Sequence, residues 1–237
     1  MGICDMVEIQ LVKKMEELKS LAIDPALRTI LYVHSLSYRA AGVLASMKEG
    51  GIHPKHRIQN HHKFFLDNIE PTDQVLDIGC GDGVLTSEMA IKAFEVTGMD
   101  INASRIRKAK ERNLRGNLRY FSGDATELKL LSLTITKKYD VITISNVLEH
   151  IDKRIEFLSF WGHRGKKVLI RVPALDRGWL PIYMKEQGWD YRLDNTHCIE
   201  YTVATLKEEL EASGLELESY NTQFGEILAV ARGNDKL

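Results

Sequence analysis

Apolar positions in the first seventy residues recur at three- and four-residue spacing. Val7, Leu11, Met15, Leu18 and Leu21 fall on one helical face, and no stretch alternates with the period of a strand. Asp24-Pro25 predicts a stop and a restart, because proline lacks the N–H that a helix interior uses but suits a first turn. A second helix is expected up to Met47, where Gly50-Gly51 breaks it. Pro54 then opens a third, ending near Ile69 with Phe64, Phe65 and Ile69 on its apolar side. From Gln74 the pattern changes. Short apolar runs at 75–78, 95–99, 118–122, 139–145 and 167–172 alternate with helical stretches, the first from Val84 to about Phe94, which predicts a parallel sheet covered on both faces. The end departs from that alternation: a helix at 202–213 precedes strands at 217–223 and 226–231 joined by a tight turn at Gly225. The expected organisation is a helical segment, 1–70, followed by an α/β domain, 71–237.

Composition narrows the function classes. Lysine plus arginine (32) nearly balances aspartate plus glutamate (33), so no global field draws the chain to nucleic acid or to an anionic membrane. Cys4, Cys80 and Cys198 are odd in number and far apart, which argues against a disulfide framework and for a reducing compartment. The N-terminus shows no basic region followed by an apolar run, so a cytoplasmic location is expected. The most apolar window, 26–47, is interrupted by Arg28, His34 and Arg39 and reads as a core-facing helix, not a membrane span. The basic run Arg105, Arg107, Lys108, Lys110, Arg112, Arg115 and Arg119 spreads around an outer helix and is read as a solvated face.

The chemistry starts at Asp77-Ile78-Gly79-Cys80-Gly81-Asp82-Gly83, where an apolar strand runs into a glycine loop and a helix follows at once. Glycines let backbone N–H groups approach a ligand at a helix N-terminus. A dinucleotide fold would use G-x-G-x-x-G for a pyrophosphate, whereas here a carboxylate stands at the strand end, which suits a cationic ligand. At this point the chain resembles the class I S-adenosylmethionine-dependent methyltransferases of the type 11/12 group, whose first motif has this form and whose cofactor carries an ammonium and a sulfonium. The resemblance covers about 54–232. It implies a doubly wound, Rossmann-like sheet of seven strands with the last pair antiparallel, preceded by a helical extension that acts as a lid.

The resemblance also implies roles. Asp77, Gly79, Cys80 and Gly81 would border S-adenosylmethionine. Asp100, about twenty residues after the loop, would accept both ribose hydroxyls, with Ile101 beside it, and Asn102 is free to cap the next helix. Ser122-Gly123-Asp124-Ala125 resembles the third motif, in which Asp124 accepts the adenine amino group and the Ala125 amide meets the ring; the alternative is that Asp124 caps the following turn. Arg57, Asn60 and His61 stand where related enzymes close over the methionine part, or simply on a solvated helix face. No cysteine triad offers an iron–sulfur cluster for radical use of the same cofactor.

The fourth strand delivers Asn146-Val147-Leu148-Glu149-His150 to the edge where the methyl group should point; Asn146 is counted with the cofactor residues. The Asn/Asp-Pro-Pro-aromatic tetrad of base amine methylation and the Pro-Cys nucleophile of cytosine methylation are both absent, and no glutamate pair suits a guanidinium. Transfer to an oxygen or a simple nitrogen remains, with His150 as base and Glu149 beside it, or with the pair capping the next helix instead. Thr196-His197-Cys198-Ile199-Glu200-Tyr201-Thr202 resembles two groups, the ubiquinone-pathway O-methyltransferases and the small-RNA 3′-terminal 2′-O-methyltransferases. In those a Glu-x-x-Glu-His segment can hold a divalent metal, and in the RNA enzymes the later histidine completes it. The matching positions are Asn146, Glu149, His150 and His197, so the first carboxylate is an amide here, which weakens a hard-metal site. Catalysis is therefore expected to be His-assisted or metal-assisted, with His150, Glu149 and His197 as its residues. The long insert 173–195, with Trp179, Tyr183, Trp189 and Tyr191 among charges, suits a small hydroxylated acceptor such as a saccharide, or a phosphorylated one through its arginines; the competing reading is a lid that packs its aromatics against the N-terminal helices. The rivals are an RNA ribose 2′-O-methyltransferase and a cofactor-binding partner protein without turnover.

Overall fold

The computed structural model describes residues 3–51, 53–112, 115–134 and 137–233, and their side chains except at 3–9, 11–13, 16–21, 56 and 133–134. The chain divides into two compact units, Met1–Ile58 and Gln59–Leu237.

The first unit is dominated by α1 (Ile3–Lys48), one continuous helix of 46 residues with Pro25 inside it. The expected break at Asp24-Pro25 does not occur. An interior proline forfeits one hydrogen bond and costs about 3 kcal/mol, but ending the helix and nucleating another is also unfavourable, and long helical stretches lie on both sides. The Thr29 hydroxyl donates to the Pro25 carbonyl at 2.8 Å. The expected apolar face of Val7, Leu11, Leu18 and Leu21 lies outside the described side chains; Met15 is exposed. Gly50 and Gly51 end the helix at φ 74° and 97°. The expected third helix is split into α2 (Lys55–Gln59) and α3 (His62–Asp67) by Asn60 at φ 45°. The division at 58/59 precedes the expected 70/71, because Phe65 and Ile69 are fully buried with Val75, Met89 and Val96 of the second unit.

That unit alternates as the pattern predicts: β1 (Gln74–Ile78), α4 (Val84–Lys92), β2 (Glu95–Asp100), α5 (Ala103–Arg112), β3 (Leu118–Ser122), α6 (Leu128–Thr134) and β4 (Tyr139–Ser145). A 3-10 turn (Leu148–His150), α7 (Arg154–Gly162), β5 (Gly165–Pro173), α8 (Trp179–Glu186), α9 (Val203–Ala212), β6 (Leu215–Gln223) and β7 (Glu226–Gly233) follow. The insert expected as loop thus contains a helix, α8. The seven strands lie in the order β3-β2-β1-β4-β5-β7-β6. Strands β1 to β5 are parallel; β7 runs antiparallel between β5 and β6, and Phe224 and Gly225 turn the hairpin at φ 50° and 75°.

Successive residues of a strand face opposite sides. Leu76, Ile142 and Ile170 pack with Leu158, Trp161 and Leu206 on one side. Val75, Val141 and Leu169 pack with Phe65 and Met89 on the other. The basic side chains of α5 are exposed while Ile106 and Ala109 are buried, the solvated face expected. Among the described residues no helix is long and apolar enough to cross a membrane.

The strand order reverses direction between β1 and β4, where connections leave to opposite faces. Such a switch point opens a crevice at the carboxyl ends of the strands. The glycine loop after β1 and the 146–150 segment after β4 are therefore neighbours by topology.

Candidate active site

Asp77 is buried, and both its oxygens are taken from within. The Thr86 hydroxyl donates to Oδ2 at 2.6 Å and the Thr143 hydroxyl to Oδ1 at 2.7 Å. The carboxylate expected to face a cation also ties β1 to α4 and β4, and burial pushes its pKa up to about 6. The loop it anchors needs its glycines. Gly79, at φ 72°, lies so close to Val147 that a Cβ there would come within 2.2 Å of Cγ2, which presses the 146–150 segment against the loop. The Gly79 and Cys80 N–H groups both donate to the Met99 carbonyl, at 2.7 and 3.0 Å. Gly81, at φ 58°, is open by contrast: a Cβ would meet only Arg105 Nη1, at 3.7 Å. Burial pushes the Cys80 thiol pKa far up, so it stays protonated.

Asp100, at the end of β2, closes the loop from the other side. Its Oδ2 accepts the Gly81 N–H at 2.9 Å and its Oδ1 accepts the Asn102 N–H at 2.7 Å. Each oxygen keeps a second lone pair for a ligand hydroxyl. Asn102 caps α5, its Oδ1 accepting from Ser104 and Arg105 N–H at 3.0 and 3.2 Å. Ile101 stands 69% exposed beside Asp100, an apolar surface of the kind an aromatic ring covers. Past β3, Asp124 does cap the following turn, Oδ1 accepting the Thr126 N–H at 2.8 Å and the Thr126 hydroxyl at 2.7 Å; the Ala125 carbonyl holds Trp161 Nε1 at 3.1 Å. The open glycine, a paired acid and an exposed apolar residue on one sheet edge fit an adenosyl group.

Beyond β4, Asn146 adopts φ 52° and its N–H donates to the Arg171 carbonyl at 2.9 Å, which turns the chain into the 148–150 turn. Glu149 is 1% exposed, its Oε2 makes no hydrogen bond among the described residues, and burial pushes its pKa up to about 7. Its carbonyl accepts the Cys198 N–H at 2.7 Å, which brings the 196–202 segment alongside. The rings of His150 and His197 meet edge to face at 4.7 Å. His197 is buried, with Nδ1 3.4 Å from Glu200 Oε1; burial first, and then His150, holds its pKa below the ordinary value. One ligand atom from each of Glu149, His150 and His197 lies within 4.8 Å of the others. A carboxylate with two imidazoles is a donor set that a divalent cation accepts.

Two ion pairs, each with one partner buried, brace this corner. Arg171 pairs bidentately with Glu226 across the β5–β7 ladder. Arg177 pairs with Glu200 and also donates to the Ala174 and Tyr191 carbonyls at 2.9 and 2.8 Å, while Glu200 accepts the Leu193 N–H. The sequence reading did not give Glu226, Thr86 or Thr143 a role. The available signal was an arginine in an otherwise apolar strand, Arg171, which calls for a buried acid. In the insert, Trp179 and Tyr183 lie 6.1 Å apart and Tyr183 and Trp189 6.0 Å, with Trp179 exposed. His61 is buried against His62, which bonds Glu88 at 2.8 Å.

Comparison with known proteins agrees with this geometry. A family model described as a methyltransferase domain matches residues 52–220. A ubiquinone biosynthesis O-methyltransferase of Psychrobacter cryohalolentis is 34% identical over 82 residues, 33% of this chain and 31% of that protein. One from Albidiferax ferrireducens is 30% identical over 105 residues, 44% of this chain and 42% of that protein. The matched region thus spans well under half of these relatives. Among solved structures, the magnesium protoporphyrin IX methyltransferase of Synechocystis with bound S-adenosylhomocysteine superposes with a TM-score of 0.58 at 18% identity, covering 76% of this chain and 83% of that one. The mitomycin 7-O-methyltransferase superposes at 0.61 with 18% identity, covering 77% and 55%; both share the fold. The match over most of the second unit, on a seven-stranded sheet with its glycine loop at the switch point, shows that the chain belongs to the methyltransferase domain family, as a class I S-adenosylmethionine-dependent methyltransferase.

Proposed function

We propose that the chain transfers a methyl group to a hydroxyl of a small polar molecule, a saccharide or a similar metabolite. The observation that carries this reading is the meeting of His150, His197 and Glu149 beside the segment that Val147 presses onto Gly79. When bound, the cofactor supplies an electrophilic methyl on a sulfonium. Asp100 and the glycine loop orient it, and the 148–150 turn lines the side from which an acceptor oxygen approaches in line. The hydroxyl loses its proton as the oxygen–carbon bond forms, and His150 is the imidazole placed to take it. The exposed Trp179 and the aromatic pairs behind it offer a platform for the apolar face of a sugar. The O-methyltransferase names of the ubiquinone-pathway relatives support oxygen as the acceptor atom.

The clustering of Glu149, His150 and His197 supports a second reading, in which these three hold a divalent cation that polarises the acceptor oxygen. One experiment separates the readings. Labelled methyl from S-adenosylmethionine is supplied with a small-metabolite fraction and, separately, with RNA, each before and after exhaustive chelation. Label in the small-metabolite fraction that survives chelation is expected. Loss on chelation with recovery on adding a divalent cation assigns the metal reading, and label in RNA, with binding that weakens steeply as salt rises, overturns the small-molecule acceptor.

A further inference from the structure

We propose that Thr196, backed by Asp194, is a positioning residue that fixes the neutral His150 ring with its proton on Nδ1, leaving the lone pair on Nε2 for the acceptor. This rests on reading His150 as the base. It follows from counting protons at one oxygen. Thr196 Oγ1 lies 2.8 Å from Asp194 Oδ1 and 3.0 Å from His150 Nδ1. A hydroxyl has one proton to give, and an ionised carboxylate can only accept. Asp194 Oδ1 also receives the Thr196 backbone N–H at 2.8 Å, so this oxygen is an acceptor toward Thr196. The hydroxyl proton is therefore committed to Asp194, the oxygen turns a lone pair to His150, and Nδ1 must be the donor.

The other groups around the ring leave this assignment intact. His197 meets it edge to face at 4.7 Å, and the Cys198 thiol donates to the His150 carbonyl at 3.7 Å. Glu149 precedes it in the chain with its side chain buried. In water the neutral imidazole of histidine favours the opposite arrangement, with the proton on Nε2, so the pair imposes a state that the free side chain does not prefer. Asp194 ends the aromatic insert, and Arg192 of the insert donates to the His197 carbonyl at 2.9 Å.

The test is the nitrogen spectrum of the uniformly ¹⁵N-histidine-labelled full chain at a pH where His150 is neutral, with H150A identifying its signals. In wild type, Nδ1 is expected at the protonated and Nε2 at the unprotonated position. In T196V the two signals should move toward each other or exchange, and T196S should restore them. On turnover, T196V should lower kcat about tenfold while KM for S-adenosylmethionine stays unchanged, and T196S should recover it. A wild-type ring protonated on Nε2, or a T196V spectrum identical to wild type, overturns the proposal. The wild-type spectrum decides even if T196V fails to fold. Full activity of H150A with the expected spectrum would remove the base reading while leaving the tautomer assignment standing.

Discussion

Asp100→Ala is expected to weaken S-adenosylmethionine binding at least about 100-fold. The carboxylate has two free lone pairs at the sheet edge where we propose that the ribose binds, and a hydrogen bond to a charged group contributes about 1.5–3 kcal/mol; two of them amount to roughly 3 kcal/mol or more, a factor of about 100 in affinity. The substitution also releases the Gly81 and Asn102 N–H groups that Asp100 now holds, so the loop loses its shape along with its ligand partner. Asp100→Asn keeps one carbonyl oxygen and should fall between the two. Calorimetric titration of the three proteins measures this, and equal affinities for wild type and Asp100→Ala would show that the cofactor does not use the end of β2.

The second large effect is on turnover. His150→Ala should lower kcat by about 10²- to 10⁴-fold, the usual contribution of a positioned general base, while the dissociation constant for S-adenosylmethionine remains as in wild type. His150 is exposed, so its loss should change folding stability little. His197→Ala differs, because that ring is buried against Glu200 and packs on His150; it should cost stability as well as rate. An undiminished kcat in His150→Ala, measured with a confirmed acceptor, would move the proton-accepting role elsewhere.

The sheet was legible because its strands are short apolar runs bounded by glycine and acid, and because the antiparallel hairpin carries its own turn signal at Gly225. The glycine loop, the place of Asp100 at the end of β2 and the Asn102 cap were legible because each acts within a few residues of its own position or at a fixed offset along a βα unit. What escaped the sequence was contact across distance. The motif at Asp77 gives no sign that Thr143, which comes from the neighbouring strand, donates to it together with Thr86. Arg171 and Glu226 meet only because β7 inserts next to β5, and Arg177 reaches Glu200 only because the insert folds back. Pro25 misled for a different reason: a local breaker signal was outweighed by the helical stretches on both sides of it. In the site itself, Glu149, His150 and His197 could be named from motif, but the hydroxyl of Thr196 between Asp194 and His150 is visible only in space.

The most direct test of transfer to oxygen uses S-adenosylmethionine with a ¹³C-labelled methyl. The wild-type chain is incubated with a hydroxyl-rich small-metabolite fraction, and the carbon spectrum of the products is read against Asp100→Ala. The predicted result is a new methyl resonance in the range of a methoxy carbon, formed by wild type and missing from the variant. A resonance in the N-methyl range, or label appearing only on macromolecules, would contradict the account.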